Sequence, residues 1–317
     1  MKPPRVSIVV ATYCTRREHL TQAIESALAQ TMPAIEVIVS DDSPDDSLRE
    51  FIDRWRDPRL RYRHNAPALG VARSHWKSFA EARGEYVVIL NHDDWLAPGH
   101  VESLAAALDR HADATLAFCD HWIIDVDGKR LDADTDRNSA AWGRAGLAAG
   151  LHAPFTSLVV AQTIPIAAGA MFRRAALTMP LPDDAGPAYD LWLSYLLCRP
   201  GAAAVYVADR LSAWRTHEGN LSSAGGLSWL HGAALCWQAM RADPAFRPWR
   251  ALARRRAAAA HAACALRCWA GGDRAQALAH AGRSMAARPS ARGLLACALP
   301  LLPHRWAAQR WNRGSPG

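Results

Sequence analysis

The segment YVVILNHDDW, residues 86–95, is the most informative part of this sequence about its fold. Its first five residues form an unbroken apolar run, which is typical of a strand buried on both faces. The run then ends at two adjacent carboxylates, Asp93 and Asp94. Ligands of sheets built from such strands bind outside the carboxyl ends of the strands. The residues that end each strand are therefore the first candidates for a functional site.

Short apolar runs alternate with helical patterns on both sides of this stretch, from residue 5 to residue 119. Strands that alternate with helices at this spacing indicate an α/β fold with a mostly parallel central sheet flanked by helices. The predicted strands are 6–12, 35–40, 60–64, 86–90 and 115–119, and the predicted helices are 19–30, 46–55, 71–82 and 99–111.

The pattern changes twice after residue 119. Periodicity weakens between 120 and 187, where 132–139 is interpreted as a loop, and a helix (188–198) and a strand (203–208) follow. Past Gly226 the chain is rich in Ala, Arg, Leu and Trp, which predicts two to four helices. We expect a catalytic domain at 1–225, divided into halves at 1–119 and 120–225, and a basic α-helical extension at 226–317.

Composition excludes several classes of protein. The 317 residues are 50% hydrophobic and 21% charged, which is typical of a globular protein and excludes a disordered or collagen-like chain. Apolar runs fall far short of the ~20 residues of a spanning helix, and the N-terminal run reads as a strand rather than a signal peptide. We therefore expect a cytoplasmic protein. The seven cysteines include no CxxC pair, which favours buried thiols over disulfides or zinc.

The net charge of +7 is distributed unevenly. Residues 226–317 contain fourteen arginines and two aspartates, a net +12, which leaves −5 for residues 1–225. A basic helical segment with tryptophans suits contact with an anionic membrane surface. The alternative is that the arginines lie on a solvated helix face and the tryptophans belong to the core. These tryptophans are Trp229, Trp237, Trp249, Trp269, Trp306 and Trp311. No recognisable nucleic-acid-binding module is present, so no nucleic-acid partner is expected.

Two pairs of aspartates follow predicted strands. Asp93 and Asp94 are costly to bury together unless a cation or a hydrogen-bond donor compensates them, and a divalent metal is one solution. Capping of the helix after Pro98 is the alternative. Asp41 ends an earlier strand, where it can accept hydrogen bonds from a base or ribose or can stabilise a turn. GxGxxG does not follow the first strand and GxxxxGK[ST] is missing, which argues against Rossmann and P-loop nucleotide binding.

Several segments in series resemble one known family. VSIVVATY, IEVIVSDDSPDD and GVARSHWKSFAEARGEYVVILNHDDWLAPG are similar, in order and spacing, to the nucleotide-sugar-binding half of family 2 glycosyltransferases. The resemblance covers about the first 110 residues closely and continues more loosely to about Ser223. It implies the glycosyltransferase A fold, followed here by the helical extension.

The resemblance implies roles for residues of the first half. Thr12, Tyr13 and Asp41 correspond to positions that hold the base, and Arg73 lies near the nucleotide unless it is only a helix-surface arginine. Asp93 is expected near the ribose and Asp94 on a divalent cation, Mn²⁺ or Mg²⁺. The family often has aspartate where this chain has Asn91.

Further roles are implied for the second half. Asp190 in GPAYDLWLSYLL corresponds to the catalytic base, with Tyr189 in place of the family's glutamate. The alternative for Asp190 is a first-turn carboxylate favoured by the helix dipole, and Asp183 and Asp184 are fallback candidates for the base. In WRTHEGNLSS, His217 is implied as a metal ligand and Arg215 as a diphosphate contact.

The implied activity is inverting, metal-dependent transfer of a sugar from a nucleoside diphosphate sugar, with uridine diphosphate the family's most frequent nucleotide. The acceptor would be a hydroxyl of a saccharide or lipid-linked molecule in polysaccharide or glycolipid synthesis, at the cytoplasmic face of the membrane. Two alternatives stay open: a nucleotidyltransferase that makes nucleotide sugars, and a non-catalytic protein that binds them, which Asn91 and Tyr189 would suit.

Overall fold

A computed structural model describes residues 3–199, 201–217 and 226–299. Within these residues the chain divides into two compact units. Residues 3–183 and 189–217 form the first unit, and residues 184–188 and 226–299 form the second. The predicted division of the first 225 residues into two functional halves stays a prediction.

The first unit is built on one mixed sheet. In the described part of the chain it has nine strands, in the order β3-β2-β1-β4-β8-β6-β9-β5, with β7 also paired to β9. Strands β3, β2, β1, β4, β6 and β9 run in one direction, because β8 is antiparallel to both β4 and β6. The strands are β1 (Val6–Thr12), β2 (Ile35–Asp41), β3 (Leu60–His64), β4 (Tyr86–Asn91), β5 (Trp95–Leu96), β6 (Ala114–Ile124), β7 (Gly150–His152), β8 (Ala170–Arg173) and β9 (Ala203–Arg215).

Helices cover both faces of this sheet. Met171 of β8 belongs to a buried apolar cluster with residues of α1 and α4, whereas the next residue, Phe172, packs edge-on against Phe79 of α3 at 5.4 Å between ring centroids. Neighbouring residues of a strand point to opposite faces, so α3 lies opposite α1 and α4. The helices are α1 (Arg17–Leu28), α2 (Leu48–Ile52), α3 (Val71–Glu81), α4 (His100–Arg110), α5 (Asp132–Ala141), α6 (Thr156–Ala161), α7 (Ile166–Gly169) and α8 (Tyr189–Cys198).

The register of the parallel strands brings the predicted site residues to one edge. Thr12 pairs with Asp41, Asp41 pairs with His64, and Ala11 pairs with Asn91. The strand order reverses at β1, with β2 on one side and β4 on the other. Such a switch point opens a crevice beyond the carboxyl ends of the strands, where open α/β sheets bind their ligands.

One prediction for the middle of the chain was wrong, and another was confirmed but too short. Residues 132–139 form most of helix α5 rather than a loop, whereas the strand predicted at 203–208 is present and continues to Arg215 as β9. Helix α5 is attached to β6 by polar contacts: Thr135 Oγ1 accepts from Ile123 N at 2.9 Å, and Ser139 Oγ donates to Asp120. A helix held by polar contacts shows no apolar periodicity, so the sequence pattern did not indicate it.

The second unit is helical, as predicted. Its helices are α9 (Leu227–Ala242), α10 (Arg250–Ala270), α11 (Arg274–Ala287) and α12 (Ala291–Ala298). Asp273 caps α11 by accepting from Gln276 N, and Ser290 caps α12 by accepting from Gly293 N. None of the described helices combines the length and apolar character needed to cross a bilayer.

The buried residues of the second unit include two of the tryptophans considered for membrane contact. Trp237 and Trp269 are only 3% and 5% exposed, so they belong to the interior of this unit. Trp229 and Trp249 are half-buried, and Trp306 and Trp311 lie outside the described residues. The prediction of buried thiols is correct for five cysteines, whereas Cys14 is exposed and Cys297 is half-buried.

Candidate active site

The two carboxylates that follow β4 have different surroundings. Asp94 is 1% exposed, and its Oδ1 accepts from the backbone N of Arg215 at 2.8 Å. Its Oδ2 accepts from Asn91 Nδ2, also at 2.8 Å. Burial, and then the neighbouring charge of Asp93, raise the pKa of Asp94 well above its usual range. The two hydrogen bonds partly offset the effect of burial, and they join the ends of β4 and β9.

The alternative that these aspartates cap a helix is wrong. The next helix, α4, begins at His100, and its N-cap residue is Gly99. The short strand β5 lies between Asp94 and that helix, and it pairs with β9. The aspartates thus belong to the strand ends.

Asp93 faces a histidine instead. Its Oδ2 lies 3.0 Å from His217 Nε2, and the two side chains are 12% and 29% exposed. The separation of these two atoms is a hydrogen-bond distance. It also equals the separation of about 3.0 Å between adjacent corners of an octahedron with bonds of about 2.1 Å, so the same two atoms could share a Mg²⁺ or Mn²⁺. Groups of three or more metal-ligating side chains do not occur among the described residues. Any cation here would take its remaining ligands from water or substrate oxygens.

The side chain of Arg215, predicted to contact the diphosphate, is buried and hydrogen-bonded within the protein. The residue is 2% exposed, and its Nε donates to the Asp93 carbonyl at 2.7 Å. Its Nη1 donates to the carbonyls of Asp125 and Val126, at 3.0 and 2.9 Å, and its Nη2 donates to Gln22 Oε1. The guanidinium is engaged by protein acceptors, which argues against the predicted diphosphate contact. Arg215 instead fixes the backbone beneath the carboxylates.

The three residues predicted to hold the base lie at neighbouring strand ends. Thr12 is 3% exposed, and its Oγ1 has no hydrogen-bond partner within the described residues. Tyr13, the residue directly after β1, is 60% exposed. Asp41 is fully buried: Oδ1 accepts from Ser43 N at 2.9 Å, and Oδ2 accepts from Tyr62 Oη at 2.8 Å. Asp41 therefore orients the loop after β2, as the turn interpretation predicted.

Asp42 holds the next segment of the crevice. Its Oδ1 accepts from Asn65 Nδ2 at 2.8 Å, and its Oδ2 accepts from Gly70 N at 2.7 Å. Gly70 has φ +80°, a conformation that side chains rarely adopt, and it directly precedes α3. Asp42 thereby sets where the helix that carries Arg73 begins.

Arg73 pairs with Asp183 on the surface of the first unit. Its Nε and Nη2 donate to the two carboxylate oxygens of Asp183, at 2.7 and 2.5 Å. Both side chains are more than half exposed. The hydrogen bond from Arg73 lowers the pKa of Asp183, which makes Asp183 a weaker base and argues against its fallback role.

Asp190 lies in the first turn of α8. Its Oδ1 accepts from Leu191 N at 2.7 Å. The side chain reaches solvent, yet desolvation by the surrounding protein raises the pKa of Asp190 to about 6. A carboxylate with such a pKa is matched to proton abstraction near neutral pH.

The positions where the chain departs from the family pattern are in contact. Tyr189 is 8% exposed, and its Oη lies 3.4 Å from Asn91 Oδ1. Both residues stand out in the sequence as departures from the family pattern, but the sequence does not indicate that they are in contact. Nothing in the sequence indicates Gln22 or Tyr62, which support the site through partners 193 and 21 positions away. Local patterns carry no signal for such contacts.

The family is established by sequence comparison. The model of the glycosyl transferase family 2 matches residues 7–177, more than half of the chain, so the chain belongs to this family. The succinoglycan biosynthesis protein ExoO of Rhizobium meliloti is 33% identical over 134 residues, which cover 41% of this chain and 37% of that protein. The chain spans less than half the length of the first curated relatives it matches.

Solved structures share the fold. TarS of S. aureus (residues 1–349), solved with UDP-GlcNAc, has a TM-score of 0.64 at 15% identity, covering 98% of this chain and 92% of that chain. The mannosyltransferase PcManGT of Pyrobaculum calidifontis, solved with GDP-Man and Mn²⁺, has a TM-score of 0.58 at 20% identity, covering 96% and 84%. The predicted glycosyltransferase A fold is thus confirmed.

Replacing Arg215 by leucine is expected to destabilise the first unit by about 3 kcal/mol, because several buried carbonyls lose a charged donor. The free energy of unfolding, from denaturant titration, measures this. Arg137→Ala, at an arginine whose side chain is 72% exposed, is the control and is expected to change stability by under about 0.5 kcal/mol. Equal losses for the two variants would contradict the structural role of Arg215.

Proposed function

We propose that the protein is an inverting, metal-dependent glycosyltransferase that moves a sugar from a nucleoside diphosphate sugar to an acceptor hydroxyl. One observation carries the proposal: His217 lies 3.0 Å from Asp93, which closely follows the carboxyl end of β4, a strand that borders β1 at the switch point. Membership of the glycosyl transferase family 2 supports it.

Two side chains are assigned to the cation. Asp93 and His217 would hold it, and a bound divalent cation supplies positive charge to the departing diphosphate. Asp94 was the predicted ligand, but both its oxygens already accept hydrogen bonds and the residue is almost fully buried. We assign Asp94 the task of joining the two strand ends that carry Asp93 and His217.

Asp190 is the proposed general base. Its carboxylate accepts the proton of the acceptor hydroxyl while that oxygen forms a bond to C1 of the sugar. The bond from C1 to the diphosphate oxygen breaks, and its electron pair leaves with the nucleoside diphosphate. A single displacement of this kind inverts the configuration at C1.

The crevice between the ends of β1, β2 and β4 is proposed to bind the nucleotide. The exposed ring of Tyr13 offers a stacking surface for the base, and the Thr12 hydroxyl is a buried group that a ligand could satisfy. Arg73 could turn from Asp183 toward the nucleotide, since their pair is solvent-exposed. Uridine diphosphate is the proposed nucleotide, which the UDP-GlcNAc bound by TarS supports.

The acceptor is proposed to be a saccharide or lipid-linked saccharide in polysaccharide or glycolipid synthesis. The description of ExoO as a succinoglycan biosynthesis protein supports this class. A cytoplasmic location at the inner face of the membrane is part of the same proposal.

Asp190→Asn is expected to lower kcat by about 10²- to 10⁴-fold while donor affinity stays unchanged, because the amide cannot accept the proton. In the unaltered protein, kcat/KM should rise with pH up to about 6 and then level off, since the raised pKa of Asp190 keeps the base protonated below that value. Product analysis and a pH–rate profile measure both effects. Transfer at full rate by the variant, or retention of configuration at C1, would remove Asp190 from this role.

A thermal-shift panel of nucleoside diphosphate sugars, with and without Mn²⁺, tests the donor and the metal. A bound donor at 100 times its Kd stabilises by about 2.7 kcal/mol, which raises Tm measurably. Asp93→Ala and His217→Ala should abolish the part of the shift that depends on Mn²⁺. Glu50→Ala, at an exposed residue of α2, is the matched control. A panel in which no donor raises Tm with Mn²⁺ would contradict the proposal.

The second unit is proposed to contact an anionic membrane. Leu278, Leu294 and Leu295 are 45% to 59% exposed on α11 and α12, and these two helices also carry exposed arginines. The only acidic residues from Gly226 to the end of the chain are Asp243 and Asp273. Basic side chains near an anionic bilayer each contribute about 1 kcal/mol, and the leucines add apolar area.

Flotation with phosphatidylglycerol vesicles is expected to carry the protein, and high salt should release it. Phosphatidylcholine vesicles should not carry it, since the attraction depends on charge. The paired change Leu294→Ser with Leu295→Ser should weaken flotation, whereas Leu151→Ser, at an equally exposed leucine of the first unit, should not. Recovery that does not depend on vesicle charge or on salt would refute membrane contact.

A further inference from the structure

Tyr189 is a buried phenol at the centre of the proposed active site. It begins helix α8 and directly precedes Asp190 in the chain. Its ring lies 4.5 Å, between centroids, from the ring of His75, a residue of α3 that is 1% exposed. Burial lowers the pKa of His75 to about 3, so this imidazole is neutral. The phenol ring is therefore held in place by a buried, uncharged neighbour.

The hydroxyl of Tyr189 is a hydrogen-bond donor. Burial, and then the charges of Asp190, Asp94 and Asp93, raise its pKa, so the phenol keeps its proton. Its Oη lies 3.4 Å from Asn91 Oδ1, which can only accept. The direction of the contact is thus set: Tyr189 donates and Asn91 accepts.

Asn91 connects this contact to the carboxylates. Its Nδ2 donates to Asp94 Oδ2 at 2.8 Å, and Asp94 Oδ1 accepts from Arg215 N at 2.8 Å. Both polar atoms of the Asn91 amide therefore have partners: the oxygen contacts Tyr189 of α8, and the nitrogen donates to Asp94. A carboxylate at position 91 could accept from Tyr189 but could not donate to Asp94.

We propose that Tyr189 is a positioning residue for Asp190, and that it acts through the amide of Asn91. The contact ties the first turn of α8, which carries the base, to the strand end that carries Asp93 and Asp94. A base and a leaving-group site on separate elements must keep a fixed separation, because small displacements of reacting groups cost rate steeply. The inference rests on the transferase function proposed above.

Tyr189→Phe removes only the hydroxyl. It is expected to lower kcat by about tenfold, whereas the donor KM changes by less than about twofold, because donor binding does not use α8. The stoichiometry of donor binding should stay unchanged. A general loss of folded protein would lower that stoichiometry, so the two causes can be distinguished. The matched control is Tyr195→Phe, at a buried tyrosine on the same helix, and it should leave kcat unaltered.

The dependence on Asn91 is tested with a double-mutant cycle. In an Asn91→Asp background an acceptor oxygen is still present, so Tyr189→Phe should lower kcat further by a similar factor. In an Asn91→Ala background the acceptor is gone, so Tyr189→Phe should lower kcat no further. Equal factors in the two backgrounds, or a kcat for Tyr189→Phe alone within about twofold of the unaltered protein, would overturn the proposal.

Failure of this inference differs from failure of the proposed function. If the unaltered protein neither transfers nor hydrolyses any nucleotide sugar of the panel, the proposed transferase function fails. If the unaltered protein turns over and the cycle shows no dependence on Asn91, only the positioning role of Tyr189 fails.

Discussion

The site depends on one buried carboxylate. Asp94 accepts the backbone N–H of Arg215, a residue 121 positions later, and thereby joins the end of β4 to the end of β9. A buried carboxylate without donors is strongly unfavourable, so the fold must bring these two strand ends together for Asp94 to be tolerated. Asp93 lies beside one end of this link and His217 lies just beyond the other. Their separation of 3.0 Å follows from it.

The same region uses neutral groups where more charge would be costly. Asn91 donates an amide proton to Asp94, and the protonated phenol of Tyr189 points its hydroxyl toward Asn91. The guanidinium of the buried Arg215 donates to the backbone carbonyls of Asp93, Asp125 and Val126. The negative charge that remains accessible is thus concentrated at Asp93 and Asp190. These are the positions where a cation and an acceptor hydroxyl are proposed to bind.

Two aspartates of one short segment, Asp183 and Asp190, differ in pKa because their surroundings differ. Both side chains reach solvent, but a hydrogen bond from Arg73 lowers the pKa of Asp183, whereas desolvation by the neighbouring protein raises the pKa of Asp190 to about 6. Residue type alone does not distinguish these carboxylates, because both are aspartates close to the start of α8. The difference comes from the neighbours that each side chain meets, and it selects Asp190 as the proposed base.

Apolar periodicity is a local property that reports burial directly, so it predicted every strand and helix of the first 119 residues except the two-residue strand β5. The sequence also predicts that an aspartate ends the second strand, that two aspartates follow the fourth, and that residues 226–317 are basic; the described part of that region is helical, as expected. Three features became visible only in the tertiary structure: residues 132–139 form a helix, Arg215 supports the backbone, and Asp93 rather than Asp94 faces His217. Each of these depends on hydrogen bonds between distant residues, such as Ser139 with Asp120 or Arg215 with Gln22. A local pattern cannot encode them, since the partner of a buried polar group is set by which chain segments the whole fold brings together.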